Sequence, residues 1–292
     1  MQISSEIVGT TLANYQTEIN QHDLMAFAAA TYDMNPAYLD DAGQKGLMAP
    51  PMYLATLNWP LIKSLCNYFN FLYPDIVYRN FLLQSEYIEY NRPFKPGDKV
   101  TSKGEVITLL PHQKGAKLYT KFKYVNENGH VLQTEYNGAI LLGVYCIDTG
   151  LGEDQLPDLS RIETPSSPIW QISQDISQEA PYIYASCHPL GSTLHTSRKV
   201  AKSAGMEEVT LQGSALIAYA LREIINEEAE VSADRLKSVS CELGDSVTPP
   251  THITIRLVER EQNTFETRLW FDVLTNNGQM AVNDGHLAIR NQ

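Results

Sequence analysis

The sequence predicts an α+β protein made of two successive halves, each with an apolar helix wrapped by an antiparallel sheet. Three observations point there. Met52 to Tyr73 carries large apolar residues on every side, among them Trp59, Leu61, Ile62, Leu65, Tyr68, Phe69, Phe71 and Leu72, and a helix apolar all round has to be enclosed. Four strand-like segments follow, with Asn128-Gly129 as a hairpin turn between the last two. Leu211 to Ile225 is then a second apolar helix leading into four more strand-like segments.

Length and composition bound the function. A chain of 292 residues with 43% hydrophobic content suffices for two ordinary cores. A formal net charge of -12 argues against nucleic acid as a partner, because the phosphates would be repelled. Met1 to Glu6 lacks a basic start followed by an apolar run, and no apolar stretch reaches membrane length, so a cytoplasmic protein without a membrane partner is expected. Cys66, Cys146, Cys187 and Cys241 are spread out and form no C-x-x-C pair, so neither a metal site nor a disulfide framework is expected, nor any cofactor. Three of them read as small buried hydrophobes. Cys187, in the loop before His195, is kept as a candidate nucleophile.

Taken in order, Ile7 to Thr11 suits an entering strand, and Asn20 with Asp23 three residues on suits a helix cap before the apolar run Leu24 to Ala30. Pro36 takes the chain out of that helix. Pro60 should bend or restart the helix of 52–73. The strands of the first half are expected at Val77–Glu89, Lys99–Thr108, Lys117–Val125 and Val131–Val144. Glycines, prolines and acids without periodicity then read as a linker, giving domains of 1–146 and 167–292 joined by 147–166. In the second half Tyr182–Ala185 reads as a short helix. The strands are expected at Leu236–Leu243, Ile253–Glu259, Thr264–Leu274 and Met280–Ile289, with a turn at Asn276-Asn277-Gly278.

Chemistry concentrates between Leu194 and Gly213. His195 can move a proton near neutral pH. Gly213 opens a helix whose free N–H groups can polarise a carbonyl oxygen, and without a Cβ it admits close approach. A base with an oxyanion donor suits proton abstraction beside a thioester carbonyl. Arg198, Lys199 and Lys202 share a helix beginning near Ser197 and are candidates to meet the phosphates of coenzyme A or an acidic carrier protein, although a solvated face is the simpler reading. Tyr68 and Phe69 are candidates to line an acyl tunnel, against plain core packing. The acidic run from Glu227 to Glu230 reads as a solvated face.

His195, Ala201, Ala204-Gly205 and Gln212-Gly213 before Ser214-Ala215-Leu216 resemble the second half of MaoC-like double hot dog proteins, the family of (R)-specific enoyl-CoA hydratases and 3-hydroxyacyl thioester dehydratases. Thr31 to Asp40, Ala49 to Met52 and Glu86 to Asp98 resemble that family's N-terminal, usually non-catalytic hot dog. The resemblance implies an α+β double hot dog in which the halves pair as an internal pseudo-dimer; a homodimer of the whole is compatible with it. It implies a hydro-lyase acting on an enoyl or (R)-3-hydroxyacyl thioester of coenzyme A or acyl carrier protein, in lipid or natural-product metabolism.

The departures are specific. The family's Asp, Asn and Pro fall near Leu190, Ser192 and Thr193, so the carboxylate that would pair with His195 is missing. The family's histidine before the helix glycine is Gln212, a hydrogen-bond donor that carries no titrating proton. In the first half Asp33 and Asn35 are kept as a vestigial site, but Tyr38 replaces the histidine and Pro51 supplies no N–H. Ser192, Ser197 or His188 would then have to orient His195. The alternatives are a non-catalytic acyl-thioester binder or partner subunit and, more remotely, a hot dog thioesterase, cyclase or isomerase.

Overall fold

The computed structural model describes residues 1–43, 46–69, 80–157, 167–187, 193–228 and 232–291. Twelve strands occur among them: β1 (Gln2–Ile3), β2 (Tyr15–Glu18), β3 (Phe81–Tyr90), β4 (Lys99–His112), β5 (Gly115–Asn126), β6 (Val131–Leu142), β7 (Tyr145–Cys146), β8 (Trp170–Ile176), β9 (Leu236–Leu243), β10 (Thr251–Gln262), β11 (Glu266–Thr275) and β12 (Met280–Arg290). Ten form one sheet in the order β2-β4-β5-β6-β3-β9-β12-β11-β10-β8, while β1 and β7 make a separate parallel pair. The seam is β3 against β9, antiparallel, with Glu86 opposite Cys241 and Tyr87 opposite Ser240. Pairing here satisfies the edge that each half would otherwise expose.

The turns follow their residues. Gly129 and Gly278 hold φ of +83° and +77°, a left-handed conformation that glycine adopts without steric cost and that the β5–β6 and β11–β12 hairpins require. Asn20 caps the helix Gln21–Ala30 by accepting from the Asp23 N–H at 2.8 Å.

The first central helix begins as a tight turn over Pro51–Leu54, is α-helical over Ala55–Ser64 with Pro60 inside it, and tightens again over Leu65–Asn67. The remainder of the expected helix, including Phe71, Leu72 and Tyr73, lies outside the described residues, as does the start of the strand expected from Val77. The second central helix, Gly213–Glu227, is enclosed on all sides, with Ala215 to Arg222, Ile224 and Ile225 all buried. Its Arg222 is held by bonds to the Thr31 carbonyl (2.9 Å) and Gln174 Oε1 (2.7 Å) and by an ion pair with Glu223.

Two expectations are corrected. Ile7 to Thr11 is not a strand: Ser4 accepts from the Glu6 N–H and starts a tight turn over Ser5–Ile7, Gly9 turns the chain at φ +90°, and Thr11 makes only an isolated bridge to Glu105. The entering strand is β2, eight residues later than the expected start. Within the segment read as a linker, 147–157 is tied to the first half. Leu151 bridges Leu109, Thr108 Oγ1 donates to the Gly152 carbonyl (2.7 Å), and the Asp148 carboxylate accepts from the Ser5 and Gly150 N–H groups, which hold it well below the usual carboxylate range. The rest of that segment, 158–166, lies outside the described residues.

Candidate functional site

A cavity of about 380 Å³ opens between the two halves, a size suited to a small ligand. From the first half it takes Asn58, Trp59 and Ile62 of the central helix and Phe81 to Leu83, Glu86 and Asn137 of the sheet; from the second it takes Thr193, His195, Thr196, Thr210 to Ser214 and Leu243. Trp59 and Phe81 meet edge-on at 6.2 Å between centroids and form part of its apolar wall.

His195 ends a short turn over Thr193–His195, and its Nδ1 lies 2.9 Å from the Thr210 carbonyl oxygen. A carbonyl only accepts, so Nδ1 carries the ring proton and Nε2 presents the lone pair. Burial pushes the imidazole below its ordinary value, and the Thr210 bond partly offsets that. The neutral ring is therefore the form held at neutral pH. A backbone carbonyl thus orients the imidazole in place of the missing carboxylate. Ser197 does not: its hydroxyl accepts from the Val200 N–H (3.3 Å) and caps the helix Arg198–Ser203. Ser197→Ala should accordingly cost about 1 kcal/mol of stability and leave the ionisation of His195 unchanged, as thermal melts and histidine NMR titration would show. His188, Leu190 and Ser192 lie outside the described residues.

Gly213 is the first residue of its helix and lines the cavity, so its N–H has no acceptor within the helix. The room beside it differs from expectation: a Cβ at this position would run into Leu243 Cδ1, with Leu83 Cδ2 at 3.4 Å. The glycine allows Leu243 to pack against the helix start, and only the backbone face is left to a ligand. Gln212 also lines the cavity, but its amide Nε2 donates to the Pro181 carbonyl (2.9 Å), which fixes the side chain to the wall.

Several candidates lie elsewhere. Tyr68 accepts from the Ala13 N–H through its hydroxyl (2.9 Å), and Phe69 is in the core; neither lines the cavity, because the helix tightens after Ser64 and turns them aside. Trp59 and Ile62 occupy that place instead. Arg198 is exposed and paired with Glu208 at 2.8 Å, and Lys199 and Lys202 are exposed; none of the three lines the cavity, although their helix follows directly on Thr196. Cys187 Sγ donates to the Ala26 carbonyl (3.5 Å), and burial pushes the thiol up, the opposite of what a nucleophile needs. Asp33 accepts from the Asn35 N–H (3.1 Å), Asn35 caps Pro36–Leu39 and donates to Asn226 (3.1 Å), and Tyr38 is buried with Ala28, Met48 and Ala233. These three residues do not reach the cavity.

Sequence reasoning missed the polar wall. Glu135 is fully buried, with Oε1 accepting from Asn58 Nδ2 (2.7 Å) and Asn137 Nδ2 (3.1 Å) and Oε2 accepting from the Tyr124 hydroxyl. Glu86 Oε1 accepts from Asn137 Nδ2 (2.7 Å). Burial raises both carboxyls; the neighbouring Glu135 raises Glu86 further through its charge and a hydrogen bond, while hydrogen bonds with Tyr124, Asn58, Asn137 and Glu86 pull Glu135 back down. The proton therefore resides on Glu86. Among the described residues no cluster of side chains suited to a metal is present, and no helix is long and apolar enough to cross a membrane.

Comparison with known proteins agrees with this geometry. A sequence profile for the FAS1-like dehydratase domain region matches residues 6–135. The whole chain superposes on a MaoC-like dehydratase from Phytophthora capsici with TM-score 0.83 at 20% identity, covering 99% of this chain and 98% of that one. It matches 48% of the full-length peroxisomal multifunctional enzyme type 2 of Drosophila melanogaster (TM-score 0.73, 16% identity, 96% of this chain). A conserved hypothetical protein of Mycobacterium tuberculosis with a double hotdog fold is similar at TM-score 0.65 and 10% identity, over 97% of this chain and 96% of that one. No curated protein matches the sequence. By fold the chain is a double hot dog protein. That fold is the one the MaoC-like dehydratase from Phytophthora capsici adopts, and the match to the FAS1-like dehydratase region lies in the first half.

Proposed function

We propose that the protein hydrates a trans-2-enoyl thioester, or dehydrates the corresponding (R)-3-hydroxyacyl thioester, with coenzyme A or acyl carrier protein as the carrier. The observation that carries this reading is His195, fixed by the Thr210 carbonyl, lining one cavity with the helix start at Gly213. In the hydration direction Nε2 takes a proton from water as its oxygen bonds to C3 of the enoyl group. The electron pair of the double bond moves onto the thioester carbonyl, whose oxygen the Gly213 N–H stabilises. The imidazolium then returns its proton to C2. The FAS1-like dehydratase match and the MaoC-like fold support a hydratase or dehydratase in general terms. In this reading the first half, 1–146, furnishes the acyl wall, and 167–292 furnishes the base.

The test is loss of the enoyl-thioester ultraviolet absorbance with a short trans-2-enoyl-CoA, followed across pH. Because burial lowers the imidazole, the acid limb of kcat/KM should fall at a pH below 6.5. Replacing Lys199 and Lys202 together by glutamate should raise KM about three- to tenfold at low salt and less at high salt, with kcat and melting temperature unchanged. Leu243 beside Gly213 favours one alternative, binding without turnover. In that case acyl-CoA raises the melting temperature while the absorbance stays constant.

A further inference from the structure

One face of the first central helix borders the cavity. Ala55, Asn58, Trp59 and Ile62, spaced i, i+3, i+4 and i+7, all line it. Trp59 is the largest of the four and only half-buried, whereas Ile62 is 2% exposed. The indole stands edge-on to Phe81 at 6.2 Å between centroids, and Phe81, 7% exposed, belongs to the core. A bulky ring braced against the sheet therefore stands at the cavity wall.

The distance from this ring to the helix start at Gly213 follows from β3. Leu83 Cδ2 stands 3.4 Å from the place a Gly213 Cβ would take. Phe81 lies two residues earlier on the same side of the strand, and pairing with β6 is regular from Phe81 to Leu83. Two residues of strand advance about 7 Å. An extended chain spans roughly 1.2 Å per bond, so one that starts at Gly213 reaches Phe81 and Trp59 after about six carbons. Volume agrees: a cavity of about 380 Å³ holds roughly a dozen non-hydrogen atoms at about 30 Å³ each, and the thioester with the end of its carrier arm takes about half of them.

We propose that Trp59, braced by Phe81, sets the length of the acyl group and stops it at about six carbons. The proposal rests on the thioester reading, which places the carbonyl at Gly213. A longer straight chain has to displace an indole that Phe81 and the helix hold in place, which costs more than burying the added methylenes gains. Trp59 thereby selects among substrates, whereas His195 serves all of them alike.

The experiment is a chain-length series on the intact protein: kcat/KM for hydration of the trans-2-enoyl-CoAs from butenoyl to decenoyl, with calorimetric binding of the matching saturated acyl-CoAs. In the wild type, hydration should peak at butenoyl or hexenoyl and fall about tenfold or more by decenoyl. Each buried methylene ordinarily tightens binding about fourfold, so affinity should climb from butanoyl to hexanoyl and then stop climbing. Trp59→Ala should raise the ratio of decenoyl to butenoyl kcat/KM about tenfold or more and restore the climb to decanoyl. Trp59→Leu, which keeps the position apolar, should do so in part. A merely structural role would lower every length by one factor. The proposal is overturned if wild-type hydration or affinity keeps rising through the longest chain, or if both variants change all lengths equally. If no chain is hydrated, the hydratase reading falls and the wild-type binding series alone decides: a halt after hexanoyl upholds the length stop, and a continued rise or no binding overturns it.

Discussion

His195→Ala is expected to lower kcat/KM for hydration of a short trans-2-enoyl-CoA by about 10²- to 10⁴-fold, the usual contribution of a positioned general base. The geometry explains why a loss at the upper end is reasonable without an Asp partner. The Thr210 carbonyl, 2.9 Å from Nδ1, selects the tautomer with its lone pair on Nε2, which is the orienting task a carboxylate performs in better-known histidine sites. A carbonyl lacks the full negative charge that would stabilise imidazolium, so the wild-type rate should itself be modest. Melting temperature should change little with this substitution. A fall in activity accompanied by normal thermal stability separates loss of the base from loss of fold, and an unaltered rate would remove His195 from the mechanism.

The second large effect concerns stability. Glu135→Ala removes an acceptor from Asn58, Asn137 and Tyr124 at once, leaving the buried Asn58 amide without its partner, Asn137 with Glu86 alone and Tyr124 with only the long bond to the Leu54 carbonyl (3.5 Å). A cost of about 3–5 kcal/mol is expected, comparable to breaking a buried charged pair, and for a chain of this size that lowers the melting temperature by roughly ten degrees. Glu86→Gln should behave oppositely. The Glu86 carboxyl is raised above its ordinary value of 4.5 by burial and by Glu135. Between 4.5 and its folded value the native state therefore holds a proton that the unfolded chain has released. Stability contributed by this group is full below pH 4.5 and is lost as pH rises through that window. Glutamine carries no such proton, so the variant should lose that decline, and denaturant melts at pH 5 and pH 8 would show a smaller difference than in the wild type.

Much of the architecture is legible in the sequence because it rests on local patterns. Asn20 caps its helix as its spacing to Asp23 predicts, Asn128-Gly129 and Asn277-Gly278 turn where they should, and Leu236–Leu243 is a strand over its full expected length. The error at Ile7 to Thr11 arose where β-branched composition competed with turn chemistry at Ser4 and Gly9, and the turn prevailed. The site was less legible. His195 and Gly213 stand out as residue types, but the partner of His195 is a backbone carbonyl, which has no signature in sequence. Size alone marks Tyr68 and Phe69 for a tunnel wall, and the tightening after Ser64 sends them elsewhere. The polar wall left one trace: Glu86 shares the alternation of Ile88 and Tyr90 in β3, so an acid stands at a position whose strand neighbours on that face are buried. Glu135 and Asn137 repeat the pattern in β6, and only folding shows that the two strands bring them together.

The β3–β9 seam joins the halves within a single polypeptide. Had the same contact been formed by two identical chains, each cavity residue would have appeared twice, and any change made to one copy would have been imposed on the other. Here the two sides differ: the first contributes Asn58, Glu86 and Asn137, the second the imidazole of His195 and a helix start. Covalent linkage therefore permits asymmetry, in which a substitution that alters ligand choice at Trp59 has no obligatory twin beside the base at His195. Selection could adjust what is held independently of what is done to it.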